Sequence, residues 1–298
     1  MIQVQDLHKK FRRFEALRGL SFSVPQGSAF ALIGANGAGK TTIIKILTNI
    51  LEPTSGRANL LGVDSRKLSP RELVQIGYVS ENQDMPARLT VAEYVDYLRP
   101  FYPSWDRDLE RETLRQLRLP PERKIGDLSH GMRLKMALLC ALPYRPKLLL
   151  LDEPFSGLDP LVRDEFMEGL LRQAGEMTIL ISSHELGEID GVATDIGFLD
   201  EGKLLFQESM AELNGRFREV RVTLAHEAAP PAQVPKDWLG LQAMGNVVTF
   251  VETSFDEKRF GEFVRSRLGE VRAINSQPMS LRSIFTTLAR AARDSAAA

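Results

Sequence analysis

The stretch SAFALIGANGAGKTTIIKIL at residues 28–47 restricts the possible folds of this chain more than any other. Its apolar run, Ala29 to Ile33, ends in a glycine-rich loop, and the loop opens into apolar residues at helical spacing, Ile43, Ile44, Ile46 and Leu47. An apolar run without alternation predicts a strand covered on both faces, which belongs in a parallel sheet flanked by helices. Within GANGAGKT, Gly34 to Thr41, the glycines let successive backbone N–H groups turn toward one point. The helix start that follows favours negative charge at the same point. A loop of this pattern between a strand and a helix is a phosphate-binding loop. Asn36, Gly37, Ala38, Gly39, Lys40, Thr41 and Thr42 are its candidate contacts: Lys40 is to reach the terminal phosphates of a nucleotide and the Thr41 hydroxyl to bind Mg²⁺.

The rest of the chain agrees with an α/β fold. QIGYVSEN (75–82), KLLLLDEP (147–154) and TILISSH (178–184) read as further buried strands, and LVRDEFMEGLLRQAG (161–175) as an amphipathic helix. Residues 1–27 suggest paired strands, and IGFLDEGKLLFQ (196–207) a hairpin turning at Asp200–Lys203. Between two core strands, from about 88 to 145, the pattern is helical, with Pro100, Pro103, Pro120 and Pro121 as breaks. This predicts a helical subdomain inserted into a domain spanning 1–215. The texture then changes: REVRVTLA and NVVTFVET suggest strands, FDEKRFGEFVRSRLG and SLRSIFTTLARAAR helices, and HEAAPPAQVP (226–235) a linker. Residues 216–298 form a small α+β accessory domain on this reading, without a catalytic constellation.

Composition limits the function classes. A net charge of −1 argues against a nucleic-acid-binding surface, so no nucleic-acid partner is expected. The longest apolar segments, such as LLLL at 148–151, are strand-sized, and the start MIQVQDLHKKFRRF has no apolar signal core. The chain is therefore expected in the cytoplasm, and not as a membrane channel. The single cysteine, Cys140, lies in ALLCAL and reads as a small buried hydrophobe.

Four more stretches carry chemistry. LLLLDEP ends an apolar strand in two carboxylates, at the sheet edge where α/β folds bind ligands. Asp152 is a candidate Mg²⁺ ligand and Glu153 a candidate general base for an attacking water. LSHGM (128–132) places a serine, a glycine and free amides before an apolar helix, a second anion-binding device. SGLDP (156–160) follows the acids as a polar turn, and ISSHE (181–185) places His184 after a core strand, where it can contact a terminal phosphate.

Taken in order and spacing, GANGAGKT, LSHGM, LLLLDEP, SGLDP and ISSHE resemble the motif set of ABC-type ATPases, over roughly residues 1–215. IGYVSEN, LTVAEY and LSHGM are most similar to the ATP-binding subunits of bacterial ABC-2-type exporters. The resemblance implies a phosphate-loop ATPase core with an inserted helical subdomain and a C-terminal appendix. It implies ATP and Mg²⁺ as cofactors, a second ATPase subunit paired head to tail, and a separate transmembrane permease that holds the chain on the inner face of the membrane. In such a pair Ser129 and Gly131 contact the γ-phosphate held by the partner's phosphate loop. Phe11 stands where the family stacks an aromatic ring on adenine, and Asp159 in the loop that links the two sites. Three positions depart from the pattern. His130 replaces the second signature glycine and is expected to be exposed and inert, and Met132 replaces glutamine. After IGYVS, Glu81 stands in the glutamine position, with Gln83 two residues on, so either is a candidate metal ligand. A soluble ABC ATPase acting on the ribosome or DNA is the alternative function; this chain shows neither tandem cassettes nor a coiled-coil insertion.

Overall fold

The computed structural model describes all residues except Glu176, Asp190, 228–233 and Ala298. The chain forms two compact units, Met1–Gln207 and Glu208–Ala298.

In the first unit, β1 (Ile2–Phe11) and β2 (Phe14–Val24) make a hairpin, followed by β3 (Ala29–Ile33), α1 (Lys40–Leu47), β4 (Ser55–Leu60), β5 (Val63–Asp64), α2 (Pro70–Leu73) and β6 (Ile76–Ser80). Then come α3 (Val91–Leu98), α4 (Arg107–Gln116), α5 (His130–Ala141), β7 (Leu148–Asp152), α6 (Pro160–Ala174), β8 (Thr178–Ser183), β9 (Asp195–Asp200) and β10 (Lys203–Ser209), whose last two residues already belong to the second unit. One sheet is ordered β2-β1-β4-β5, with antiparallel pairing. The larger is ordered β10-β9-β3-β8-β7-β6 and is parallel from β9 through β6.

The main core lies between the two sheets, around α1. Ile43, Ile44, Ile46 and Leu47 of α1 pack with Leu7, Leu20 and Phe22 of the antiparallel sheet and with Phe30, Leu32, Leu148, Leu150 and Leu180 of the parallel one. That position explains why α1 is apolar on more than one face. Every residue of β7 is buried, as expected of a central strand covered on both sides.

The helical insert is built as the sequence predicts. α3 starts in a capping box of Thr90 and Glu93, and Asp106 and Ser129 cap α4 and α5. From Leu134 to Ala141 α5 is buried throughout. Burial pushes the Cys140 thiol up to about 12, the inert role expected of it.

The second unit begins earlier than the expected boundary at 215. It takes in α7 (Met210–Arg216), because Arg216 bonds to Glu208 (Nε–Oε2 2.9 Å) and to the Thr253 carbonyl (2.7 Å). β11 (Arg218–Leu224), β12 (Trp238–Met244), β13 (Val247–Glu252), α8 (Phe260–Leu268), β14 (Val271–Pro278) and α9 (Leu281–Ala297) follow. The sheet order is β12-β13-β11-β14, and Phe260 and Val264 of α8 pack on Val220, Val222, Val248 and Phe250. Of the expected linker at 226–235, residues 228–233 lie outside the described residues. Among the described residues no helix is long and apolar enough to cross a membrane.

Candidate nucleotide site

Register brings the motifs to one edge of the parallel sheet. Ile33, the last residue of β3, pairs with Ser183, and Asp152, the last of β7, pairs with Ser182 on one side and Ser80 on the other. The phosphate loop, the two acids, ISSH and the loop after IGYVS thus all leave from the carboxyl ends of adjacent strands, where open α/β sheets bind ligands.

The loop's shape depends on Gly39, the N-cap of α1, at φ +113°. A Cβ there would lie 2.7 Å from Leu17 Cδ2 and 3.0 Å from the Ala16 carbonyl, so this turn admits only glycine. Lys40 is 4% exposed. Its ammonium donates to the carbonyls of Gly34 (2.6 Å) and Ala35 (3.2 Å) and pairs with Glu153 Oε1 at 2.9 Å. A buried cation is tolerable only with such partners.

Asp152 Oδ1 accepts from the hydroxyls of Thr41 (3.0 Å) and Ser182 (2.7 Å). Burial raises the Asp152 pKa above the usual carboxylate value, and these two hydrogen bonds oppose that rise. Ser182 also accepts the N–H of Glu153 at 2.9 Å. Glu153 holds φ +50°, a left-handed conformation that costs a non-glycine residue about 1–3 kcal/mol and persists only where neighbours fix it. Ser182, Lys40 and His184 do so here. His184 Nδ1 lies 2.8 Å from Glu153 Oε2, and this bond raises the imidazole pKa above its ordinary value. Glu153 therefore stands between a lysine and a histidine, poised at the phosphate loop. Ser182 is the residue that sequence reasoning missed; its signal was its place one strand over from Asp152.

Two cavities adjoin the loop. One, of about 280 Å³, is lined by Asn36, Gly37, Gly39, Lys40, Thr41, Thr42 and Glu153, as expected, but its aromatic wall is Phe14. Phe11 does not line it. The two phenylalanines are direct cross-strand partners at the end of the β1–β2 hairpin, and the Lys9 ammonium sits 5.0 Å from the Phe11 ring centre. Ala38 is buried beneath the loop and does not line the cavity either. The other cavity, about 290 Å³, is lined by Thr41, Asp152 and Glu153 together with both Glu81 and Gln83. Gln83 Oε1 is buried without a hydrogen-bond partner. An amide oxygen is a hard donor of the kind Mg²⁺ takes, so of the two candidates that share this cavity with Thr41 and Asp152, Gln83 shows the unmet need for a partner.

The LSHGM segment stands apart from these cavities, and none of residues 128–132 lines either one. Ser129 is the N-cap of α5, accepting the Met132 N–H at 3.3 Å. Asp159 caps α6 by accepting the Val162 N–H at 3.0 Å. His130, expected to be inert, is exposed but engaged: its Nε2 lies 3.0 Å from the Ser156 carbonyl.

Residues 17–156 match the ABC transporter family. Over 289 residues, 96% of this chain and 97% of the relative, the sequence is 27% identical to the ABC transporter ATP-binding protein YtrB of Bacillus subtilis. It is 34% identical over 219 residues to the lantibiotic transport ATP-binding protein SrtF of Streptococcus pyogenes, covering 70% of this chain and 90% of that one. Among solved structures, the ATP-binding subunit of an ABC transporter matches with a TM-score of 0.66 and 28% identity, covering 72% of this chain and 92% of that one. With a glycine-rich phosphate loop, paired acids and His184 on one sheet edge, and with relatives of this kind, the chain belongs to the ABC transporter family as an ATP-binding subunit, an ATPase.

Proposed function

We propose that the chain is the motor of an ABC exporter, and that two copies close head to tail on two ATP molecules to drive a separate membrane subunit. One observation carries this reading: LSHGM, which has the make-up of a second anion site, lines neither cavity at its own phosphate loop. A second copy related by a two-fold axis would set each LSHGM against the other's loop. Ser129 and the amides around Gly131 then meet the terminal phosphate that the partner's Lys40 holds.

In the working site Phe14 stacks on adenine and Lys40 turns its ammonium from Glu153 to the phosphates. Glu153, left with His184, takes a proton from the attacking water, and His184 orients that carboxylate. Thr41, Asp152 and Gln83 would hold Mg²⁺, which offsets phosphate charge when bound. The membrane subunit docks near residues 82–105, where Tyr97 and Phe101 are each 59% exposed and pack edge to face at 5.5 Å. Exposed aromatic clusters of this kind are interaction surfaces. Similarity to a lantibiotic transport ATPase supports export as the direction. Such docking would hold the chain on the cytoplasmic face of the membrane.

The test is the mass of Glu153→Gln in solution with and without Mg-ATP. Removing the base should slow hydrolysis by a factor on the order of 10² or more while leaving ATP binding intact. The ATP-loaded variant should then run as a dimer and the ATP-free protein as a monomer. A variant that binds ATP yet stays monomeric alone and with its permease rules out the head-to-tail reading.

A further inference from the structure

His130 stands where a glycine would offer the loop nothing, and it makes a specific bond. Its Nε2 faces a carbonyl, the Ser156 oxygen at 3.0 Å, so that nitrogen carries the proton and donates. The ring rests on Gly157, where a Cβ would be 3.8 Å from both Cδ2 and Nε2. The Ser156 N–H in turn donates to the Glu153 carbonyl at 3.3 Å. Two hydrogen bonds therefore connect the first residue of α5 to the backbone of the strained glutamate.

Neighbouring contacts make α5 and α6 one body at this end. A Cβ on Gly131 would lie 2.8 Å from Val162 Cγ1 and 3.3 Å from Leu158 Cδ2, so the first turns of the two helices approach as closely as a glycine permits. Further along, buried Lys135 pairs with Glu165, which also accepts from Arg118 Nη1 at 3.1 Å. A shift of the α5 start cannot be absorbed by sliding against α6, and it passes to the loop 153–159 that joins Glu153 to α6.

We infer that His130 is a positioning residue that clasps the start of α5 to the loop after Glu153. Contact of Ser129 and Gly131 with the partner's terminal phosphate thereby sets the carboxylate of the chain's own site. The inference rests on the head-to-tail reading, and it adds a direction of coupling: the half-site a chain lends reports to the half-site it keeps. His130 touches no nucleotide in this arrangement, so its loss should act on turnover and on communication between sites, not on ATP affinity.

The experiment compares steady-state ATP hydrolysis by the wild-type protein, His130→Gly and His130→Gln, with melting temperatures as a check on folding. A glutamine amide can replace the imidazole donor, and glycine cannot. For His130→Gly we expect kcat to fall about two- to tenfold, the scale of one hydrogen bond, with KM changed less than about twofold and the Hill coefficient for ATP lowered toward one. His130→Gln should recover most of both losses. Wild-type kcat and Hill coefficient in His130→Gly overturn the clasp, as does a glutamine variant no better than glycine, or a loss confined to KM. ATP-dependent dimerisation is read in parallel on Glu153→Gln alone and on Glu153→Gln with His130→Gly. Both should dimerise; if Glu153→Gln with His130 intact stays monomeric by itself and with the permease, the head-to-tail reading fails, whereas if only the double variant does not dimerise, His130 acts in dimer closure and the clasp is wrong.

Discussion

At the scale of single residues, the site is a set of side chains that each hold another in an otherwise unfavourable state. Lys40 is buried and would not be stable without Glu153 and two carbonyls, and Glu153 sits at φ +50° because Lys40, Ser182 and His184 fix it. Such mutual dependence was legible only in part. The residue types in GANGAGKT, LLLLDEP and ISSHE named Lys40, Thr41, Asp152, Glu153 and His184, because phosphate and metal chemistry admits few alternatives. The aromatic wall of the cavity is Phe14, where Phe11 is expected. Phe11 and Phe14 are equally apolar and two residues of turn separate them, so sequence alone could not say which ring faces the loop; cross-strand pairing puts both on one side, and Phe14 lines the cavity at 59% exposure. Base–aromatic stacking is worth about 1–3 kcal/mol per base. Phe14→Ala should therefore raise the Kd for ATP about tenfold, and Phe11→Ala by much less, as measured by fluorescent-nucleotide titration. Equal losses would mean that both rings sandwich or flank the base, and a loss at Phe11 alone would return the stack to the position first expected.

At the scale of elements, the pieces with a strong physical reason to exist were readable, and the marginal ones were not. β7 is apolar at every position but its last, Asp152, because helices or sheets cover both faces, and Thr90, Asp106 and Ser129 announce their helices as caps. β12 and β14 carry no such signal. β14 has no buried residue, and β12 buries only Trp238 and passes through Gly240 at φ +61°. Both are edge strands whose pairing with β13 and β11 supplies the order that their own side chains do not. Buried ion pairs are equally invisible in sequence: Lys135 of α5 is buried against Glu165 of α6. Removing one member of a buried pair leaves the other charge uncompensated, at a cost of about 3–5 kcal/mol. Glu165→Ala should fall near the lower end, since water reaches part of this site, and Lys135→Met with Glu165→Leu should recover stability. Urea unfolding of the three proteins measures this, and a Glu165→Ala loss below about 1 kcal/mol would mean that Lys135 finds solvent by a small rearrangement.

At the scale of the whole molecule, the proposed head-to-tail pair requires that one copy's loss in its own half-site be separable from its loss in the half-site it lends. Lys40→Ala removes the phosphate contact a chain keeps, and Ser129→Arg blocks the surface it offers. Each variant alone forms pairs in which both composite sites are damaged. A mixed pair is different: the Ser129→Arg copy keeps an intact phosphate loop, and the Lys40→Ala copy offers it an intact LSHGM, so one complete site survives. Random mixing places such a site in half of the pairs, and the mixture should hydrolyse ATP at about a quarter of the wild-type rate per chain, against near-zero for either variant alone. Tagged Lys40→Ala should retain untagged Ser129→Arg on a resin only when Mg-ATP is present. If the catalytic site were instead complete within one chain, Ser129→Arg alone would stay active and mixing would add nothing. If neither activity nor ATP-dependent retention appears in the mixture, the two devices do not meet across a pair, and LSHGM must bind an anion of another origin.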